Sequence, residues 1–129
     1  MGTRYILDTN TAIYFLNGQL TPNGFAFVLS VINNECNLSV ITKMELLGWP
    51  TSNPNDEVKI RSFISDSIIL SLSDEVVEKT IKLRKLYKIK LPDAIIAATA
   101  IVYDFMLISS NDKDFARITE LKYLNPFTL

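Results

Sequence analysis

Two kinds of apolar pattern alternate along this chain: short apolar runs, and longer segments in which apolar residues recur every three or four positions. The runs predict strands at residues 5–7, 38–40, 68–70, 106–108 and 122–124. The longer segments predict helices at residues 11–16, 24–33, 43–48, 56–64, 74–87 and 93–103. Because strands that alternate with helices form crossover units, the pattern predicts an α/β fold whose parallel sheet is covered on both faces.

One helical segment stands out because it has no polar face. Residues 94–102 are apolar except for a single threonine, which predicts a helix buried against the sheet. Pro92 suits the first turn of that helix. Residues 49–55 carry two prolines and two asparagines and predict an exposed loop. No repeat, low-complexity tract or linker divides the sequence, so we expect a single domain over residues 1–129.

The composition excludes several kinds of catalytic site. The chain has no histidine and one cysteine, Cys36. An internal disulfide, a Ser-His-Asp triad, a cysteine–histidine pair and an HExxH metalloprotease site are therefore all impossible. Cys36 has no accompanying base and is interpreted as a structural residue. Acid, base and metal chemistry must come from carboxylates, amides, hydroxyls, lysine or bound water.

The charge of the chain is nearly balanced. A net charge of −1 and a pI near 5.4 argue against a broad, non-specific coat of nucleic acid. A local patch is still open, and it has two interpretations: the solvated face of an amphipathic helix or a contact with a phosphate backbone. The basic residues concerned are Lys79, Lys82, Arg84, Lys85, Lys88 and Lys90.

The sequence also bears on location. No apolar run reaches the length of about 18 residues that a membrane span needs. The first residues become polar too soon for a signal peptide. We therefore expect a cytoplasmic protein with no membrane association.

Four acidic residues, Asp8, Glu45, Asp93 and Asp114, each stand where a strand-like run gives way to a helix-like one. The carboxyl edge of a parallel sheet would gather them into one cleft. Crowded carboxylates repel one another and have raised pKa values unless a cation neutralises them. Mg²⁺ or Mn²⁺ suits such oxygen ligands, so the sequence predicts a metal site. Hydroxyl and amide side chains accompany the acids: Thr9, Asn10, Ser109 and Asn111.

Helix capping offers another interpretation of each acid. Asp8 would cap the helix that follows it, and Asp93 would lie in a first helical turn. Thr42 and Glu45 spell a capping box, with Glu45 at the third helical position. Asp114 would be an exposed acid in a short turn. Capping explains the acids one by one, but it predicts neither their shared edge nor the polar residues beside them.

The segments around these acids resemble, in order, the four motifs of PIN-domain ribonucleases: residues 6–10, 41–48, 91–98 and 108–115. The length and the motif spacing look most like those of VapC-type toxins of bacterial and archaeal toxin–antitoxin pairs. The resemblance runs from about residue 5 to the C-terminus. It implies a PIN-like three-layer α/β/α sandwich with a central, mainly parallel sheet of four or five strands, and a nuclease domain spanning residues 1–129.

The resemblance also implies roles for individual residues. Asp8, Glu45 and Asp93 match the three principal acids of the family's metal site. In the fourth motif Ser109 replaces the usual threonine, and Ser110 stands where a basic residue is common. Three residues of that motif are candidates for approach to the metal: Asn111, Asp112 and Asp114.

The chemistry implied is hydrolysis of an RNA phosphodiester assisted by Mg²⁺ or Mn²⁺, which leaves a 5′-phosphate and a 3′-hydroxyl. Four acids would be catalytic and, together with Asn111, would hold the metal: Asp8, Glu45, Asp93 and Asp114. Five residues would contact these carboxylates or the substrate phosphate: Thr9, Asn10, Ser109, Asn111 and Asp112. Glu45 would bind metal through water or accept the proton of the attacking water.

Partners follow from the same resemblance. A toxin requires a cognate antitoxin protein, and a groove between residues 44–48 and the next helix, with Phe63 and Ile64, is a candidate docking surface. Core packing is the competing role for those apolar residues. A homodimer is expected from the family.

Two alternatives remain open at this stage. The chain could be a non-catalytic PIN-fold module that binds RNA or a protein. It could also be a haloacid-dehalogenase-like phosphatase, since residues 8–12 partly match an Asp-x-Asp-x-Thr motif, although Asn10 replaces the second aspartate.

Overall fold

The computed structural model describes residues 2–129, and its centre is a single parallel sheet. Spatially, the strands follow the order β3-β2-β1-β4-β5, and every neighbouring pair is parallel. This arrangement confirms the predicted α/β fold, and it places the end of the first strand in the middle of the carboxyl edge. The strands are β1 (Tyr5–Leu7), β2 (Asn37–Ser39), β3 (Ile68–Leu70), β4 (Met106–Ile108) and β5 (Tyr123–Leu124).

Helices connect the strands and begin at recognisable caps. Thr21 and Ser73 accept hydrogen bonds from the first-turn amides of the second and fifth helices. Asp104, with a φ of 56°, ends the sixth helix in a left-handed conformation. No helix within residues 2–129 is both long and apolar enough to cross a bilayer. The helices are α1 (Thr9–Leu16), α2 (Pro22–Asn34), α3 (Val40–Leu47), α4 (Pro54–Ser65), α5 (Asp74–Leu86), α6 (Leu91–Tyr103) and α7 (Asp112–Phe115), and a 3₁₀ turn follows at Pro126–Thr128.

The core lies in two layers because successive residues of a strand face opposite sides of the sheet. Ile6 packs with α5 and α6 on one side, whereas Leu7 packs with α2 on the other. Every residue of α6 from Ala94 to Ala100 is buried, as the absence of a polar face predicted. Since α6 is held so firmly, the acid in its first turn has a fixed position at the sheet edge.

The boundary predicted between β2 and α3 was wrong. Val40 belongs to α3 and not to β2, because the Ser39 hydroxyl accepts a hydrogen bond from Ile41 N at 3.1 Å and starts the helix there. The capping box of Thr42 and Glu45 therefore does not exist. Thr42 is buried within α3, and Glu45 is the sixth residue of that helix.

The fourth-motif acids occupy a helix that the sequence pattern did not predict. Asp112–Phe115 forms the single turn of α7, and the Asn111 side chain accepts a hydrogen bond from Asp114 N at 3.3 Å. Asp114 is therefore a half-buried residue of a capped helical turn instead of the exposed acid expected in a short turn.

Candidate active site

Asp8 lies at the middle of the carboxyl edge, directly after β1, and only 5% of its surface is exposed. Its Oδ1 accepts a hydrogen bond from Thr11 N at 2.8 Å, so Asp8 does cap α1. Its Oδ2 accepts one from Ser109 Oγ at 2.5 Å. Burial raises the pKa of Asp8, the bonds from Ser109 and Thr11 oppose that shift, and the charge of Glu45 adds to it. A capping role alone does not explain why the Asp8 carboxylate is buried without an ion-pair partner.

The ends of β1 and β4 are tied together around this carboxylate. Thr11 Oγ1 donates to the carbonyl of Ile108 at 2.9 Å. Ser109 Oγ, which holds Asp8, also accepts from Asn111 N at 3.0 Å. Because Thr11 and Ser109 are fully buried, these bonds are shielded from water and fix the Asp8 side chain.

Glu45 approaches Asp8 from α3 and is exposed to solvent. Thr9 Oγ1 donates to Glu45 Oε1 at 2.6 Å and also lies 3.1 Å from the hydroxyl oxygen of Thr42. Thr9 thus connects the first turn of α1 to α3. The result is one fixed acid, Asp8, beside one solvent-accessible acid that a single hydroxyl positions.

Asp93 reports the crowding of acids most directly. It is half-buried in the first turn of α6, as predicted. Loss of water raises its pKa most, and the negative charges of Asp114, Asp8 and Glu45 raise it further, while Lys90 partly opposes them. The structure therefore brings the other three acids within electrostatic reach of Asp93.

Of the three fourth-motif candidates, Asn111 and Asp114 lie together, and Asp112 lies apart from them. The negative charge of Asp114 raises the pKa of Asp93, and Asn111 Nδ2 donates to Asp114 Oδ2 at 3.0 Å. Asp112 instead accepts from the hydroxyl of Tyr123 at 2.8 Å and from Asn125 Nδ2 at 3.3 Å. Asp112 is therefore engaged by the C-terminal segment and does not join the other acids.

A cleft of 360 Å³ opens over Asp8, Glu45 and Asp93. Thr9 and Asn10 line it on the side of α1. Further lining comes from the loop after α3 and includes an exposed aromatic side chain, for which the sequence pattern predicted only a place in a loop. A lone tryptophan directly after the second motif was the available signal. The residues contributed by that loop are Gly48, Trp49 and Pro50.

The donor chemistry of the cleft fits a hard divalent cation. Within residues 2–129 no ion pair reaches Asp8, Glu45 or Asp93, and of the four acids only Asp114 forms one, with Arg117 at 3.4 Å. Several carboxylates without positive partners favour binding of a positive ion through oxygen. In the same residues no three acidic or cysteine side chains form a ready coordination group. Instead, both oxygens of Asp8 and one oxygen of Glu45 accept hydrogen bonds from protein groups. The donors are Thr11, Ser109 and Thr9.

The basic stretch found in the sequence divides into two parts. Lys79, on α5, pairs with Glu120 at 2.9 Å. Lys82 and Lys85 lie on the exposed face of the same helix. The other three basic residues line an open groove of 400 Å³ where α5 leads into α6. They are Arg84, Lys88 and Lys90, and Tyr87 and Ile89 line the groove with them. Arg117 closes on this groove by donating to the carbonyl of Lys88, and it lies 5.9 Å from the Tyr87 ring centroid. We name this groove, together with Arg117, the basic groove.

The expected docking space between residues 44–48 and α4 is present, but Phe63 and Ile64 do not line it. Ile64 is buried with Ala12 and Leu46, and the Phe63 ring lies 6.3 Å from that of Phe15. The open space is a cavity of 140 Å³ between α1, α3 and α4, with both apolar and polar lining residues. Its lining includes Ile13, Leu16, Leu46, Trp49, Lys59 and Ile60.

The fold has clear relatives among solved structures. A chain in a toxin–antitoxin complex from Klebsiella pneumoniae is 32% identical, with a TM-score of 0.77, and the match covers 95% of this chain and 97% of that one. A chain of VapBC-1 from nontypeable Haemophilus influenzae is 27% identical, with a TM-score of 0.76 and coverage of 96% and 98%. A chain of VapBC2 from Rickettsia felis, bound to a promoter DNA fragment, is 25% identical, with a TM-score of 0.81 and coverage of 95% and 98%.

A sequence search of curated proteins found no match. The family model of the PIN domain matches residues 5–121, which include all four acids of the cleft and nearly the whole chain. The structural relatives agree with the resemblance to VapC-type domains that the four motifs indicated. On the match over residues 5–121, this chain belongs to the PIN domain family.

Proposed function

We propose that this protein is a divalent-cation-dependent endoribonuclease and the toxin of a toxin–antitoxin pair. The observation that carries the proposal is the convergence of Asp8, Glu45, Asp93 and Asp114 at one edge of a PIN-domain sheet. Three of them have no cationic partner within residues 2–129. A fold gains nothing from such crowding, whereas a metal-dependent site requires it.

Mg²⁺ or Mn²⁺ would be held by Asp8, Glu45, Asp93 and Asp114, with Asn111 beside them. When bound, such a cation neutralises phosphate charge and makes water more acidic. Asp8 supplies a fixed oxygen, because Thr11 and Ser109 hold its carboxylate in place. Asn111 orients Asp114 through two hydrogen bonds, one to the side chain and one from the backbone amide.

Glu45 is the residue suited to accept the proton of the attacking water. It is exposed, so it can reach both substrate and solvent, and the Thr9 hydroxyl holds its Oε1 by a hydrogen bond. Asn10 is exposed in the same cleft and can donate to a phosphate oxygen. Asp112 has no part in this scheme, because Tyr123 and Asn125 hold it.

The RNA backbone needs positive charge that the cleft lacks. The basic groove provides it through Arg84, Lys88, Lys90 and Arg117, and Arg117 also contacts Asp114. A strand that lies in the basic groove would therefore reach the acids from the Asp114 end. Each phosphate contact made in this way weakens as salt rises.

An antitoxin partner is supported by the relatives, which come from a complex described as toxin–antitoxin and from VapBC assemblies. An unrestrained nuclease would harm the cell that makes it, so an inhibitor protein fits the proposed chemistry. Its docking site would be the cavity between α1, α3 and α4, which adjoins the acids through Ile13 and Trp49. We also propose a homodimer in which the two copies flank the cleft with basic residues.

The decisive experiment is an assay of purified protein on RNA with Mg²⁺ or Mn²⁺, with chelator, and with the variant Asp8→Ala. We expect cleavage that needs the cation, fails in the variant, and leaves 5′-phosphate and 3′-hydroxyl ends. Cyclic phosphate ends, or cleavage that persists in chelator, would contradict the proposal.

One observation favours a second candidate, a PIN-fold module that binds RNA without cutting it. The acid oxygens of residues 2–129 form no ready coordination group, and protein donors hold several of them. Normal RNA binding by wild-type protein with no turnover under any cation would support this alternative. Cation-dependent cleavage that Asp8→Ala abolishes would exclude it.

A further inference from the structure

Trp49 is a large exposed aromatic side chain at the rim of the acidic cleft. It follows α3 directly, 57% of its surface is exposed, and it lines the cleft together with Asp8, Glu45 and Asp93. It is the chain's single tryptophan. The catalytic scheme proposed above assigns it no role, since that scheme uses only polar and charged groups, and Trp49 enters the proposal only as a residue bordering the antitoxin cavity.

The backbone around Trp49 gives it a defined place. Gly48 N donates to the carbonyl of Met44 at 2.8 Å, and Trp49 N donates to the carbonyl of Leu46 at 3.4 Å. A Cβ at Gly48 would come within 2.9 Å of the Met44 carbonyl, so this turn favours glycine. Pro50 follows and restricts the chain beyond. The backbone that carries the indole is therefore held at the end of α3 by a tight turn.

We infer that Trp49 stacks against a base of single-stranded RNA beside the phosphate to be cleaved. This inference rests on the proposed nuclease function and deepens it. Next to several carboxylates a phosphate is repelled, but the face of a base is uncharged and gains from contact with an aromatic ring. Stacking is thus the attractive contact that RNA can make at this side of the cleft without adding negative charge there.

The position of Trp49 complements that of the basic groove. Trp49 belongs to the part of the cleft that contains Glu45, whereas Arg117 contacts Asp114 and Lys88. Asp93 lines the cleft with Glu45 and Trp49, and it is also close enough to Asp114 for that charge to raise its pKa. A strand could therefore place its phosphates in the basic groove, cross the acids, and stack its next base on Trp49.

RNA is favoured over a protein side chain as the occupant of this face. Trp49 also borders the cavity between α1, α3 and α4, but that cavity measures 140 Å³ against 360 Å³ for the acidic cleft. The cleft beside Trp49 has a mixed lining, which suits a nucleotide because a nucleotide has both polar groups and an apolar base face. Its polar residues are Asp8, Thr9, Asn10, Glu45 and Asp93, and its apolar residues include Ile13, Pro50 and Ile96. A contact with the antitoxin is the competing outcome in the test below.

The first arm of the test is kinetic. In the presence of Mg²⁺, Trp49→Leu should raise KM for single-stranded RNA by roughly 5- to 150-fold, which is the range expected for the loss of one base stack. The value of kcat should change far less. Trp49→Phe should restore most of the affinity, because phenylalanine keeps an aromatic face. Phe127→Leu is the matched control, since Phe127 is an exposed aromatic outside the cleft.

The second arm reads binding without turnover. The variant Asp93→Asn, in chelator, is titrated with a dye-labelled oligoadenylate or with an abasic oligomer of equal length. Trp49 fluorescence should be quenched by oligoadenylate and unchanged by the abasic oligomer, which carries the same phosphates. Because the chain has one tryptophan, the signal reports Trp49 alone.

The outcomes separate this inference from the function on which it rests. If wild-type protein cleaves RNA but Trp49→Leu keeps its KM, and dye anisotropy saturates while tryptophan emission stays constant, the stacking role is overturned and the nuclease stands. If Trp49→Leu changes only inhibition by the antitoxin, the contact is with protein and the inference is likewise wrong. If wild-type protein cleaves no RNA, both proposals fail.

Discussion

The two edges of the sheet hold their acids in opposite ways. At the amino edge, Arg4 forms a two-pronged pair with Glu35, with N···O distances of 2.9 and 3.0 Å, and Lys122 pairs with Asp104 at 2.8 Å. The Arg4 guanidinium is the main cause that lowers the pKa of Glu35, and Asn37 adds to it. At the carboxyl edge, burial and neighbouring acids raise the pKa values of Asp8 and Asp93.

The acids of the amino edge are ordinary paired surface charges, whereas those of the carboxyl edge form the proposed functional site. Pairs of exposed charges contribute little to stability and need no special explanation. Acids that are crowded together and partly withdrawn from water oppose folding when ionised, and a chain retains them where their charge is used. The carboxyl edge is therefore the part of the molecule where a small loss of stability accompanies a proposed gain in activity.

The sharpest way to break the comparison is to remove one charge from each edge. Asp93→Asn should lower cation-dependent RNA cleavage by at least about 100-fold, since a ligand of the proposed cation loses its charge. Glu35→Gln removes the same charge at the amino edge and should leave cleavage within about twofold. Initial rates at saturating RNA measure both. Equal losses in the two variants would mean that net charge, and not the site, controls activity.

A smaller effect should come from the group that holds Asp8. Ser109→Ala removes the hydroxyl that donates to Asp8 Oδ2 at 2.5 Å and should lower kcat by about 10-fold, the usual scale for residues that orient metal ligands. Ser109→Thr restores the hydroxyl and should recover most of the rate. Ser110→Ala, one residue further along, should have no effect. A role for Ser109 in folding alone would instead lower the melting temperature and leave kcat intact.

Sequence alone predicts the elements of this molecule well, because alternation and helical periodicity are local signals. Short apolar runs such as residues 5–7 predict the five strands, and the apolar segment at residues 94–102 predicts the buried α6. The gathering of acids at one edge also follows, since parallel topology brings the ends of all strands together. In contrast, the start of α3 depends on a choice between two hydroxyl residues, Ser39 and Thr42, which the sequence pattern does not distinguish.

Other features depend on tertiary contacts that no local pattern encodes. The four residues of α7 are too few to show a helical period. Phe63 and Ile64 are closed off because α1 packs on them, so they do not line the space between residues 44–48 and α4. The direction of Asp112 is set by Tyr123 and Asn125, which follow it in the chain by more than ten residues. The place of Trp49 in the cleft likewise depends on how the loop after α3 closes.

The comparison also predicts opposite stability effects in chelator at neutral pH. Asp8→Asn keeps an oxygen for Thr11 N and offers an N–H to Ser109 Oγ, but it removes a buried charge. We expect the melting temperature to rise by about 4 °C, corresponding to about 1 kcal/mol. Asp104→Asn, at an acid whose side chain is 80% exposed and paired with Lys122, should lower it slightly or not at all. Thermal unfolding with and without Mg²⁺ measures both, and added Mg²⁺ should narrow the gap for Asp8→Asn.

The smallest effect concerns pH at the amino edge. Because the folded pKa of Glu35 is lowered, its contribution to stability is present above the ordinary glutamate pKa and is lost as pH falls through the folded value. Glu35→Gln should therefore melt lower than wild type at neutral pH, by about 2 °C or less because the pair is exposed, and the two should converge in acid. Thermal unfolding in chelator across this range measures the gap. A gap that persists below the folded pKa would show that the shape of the Arg4 contact, and not its charge, stabilises this edge.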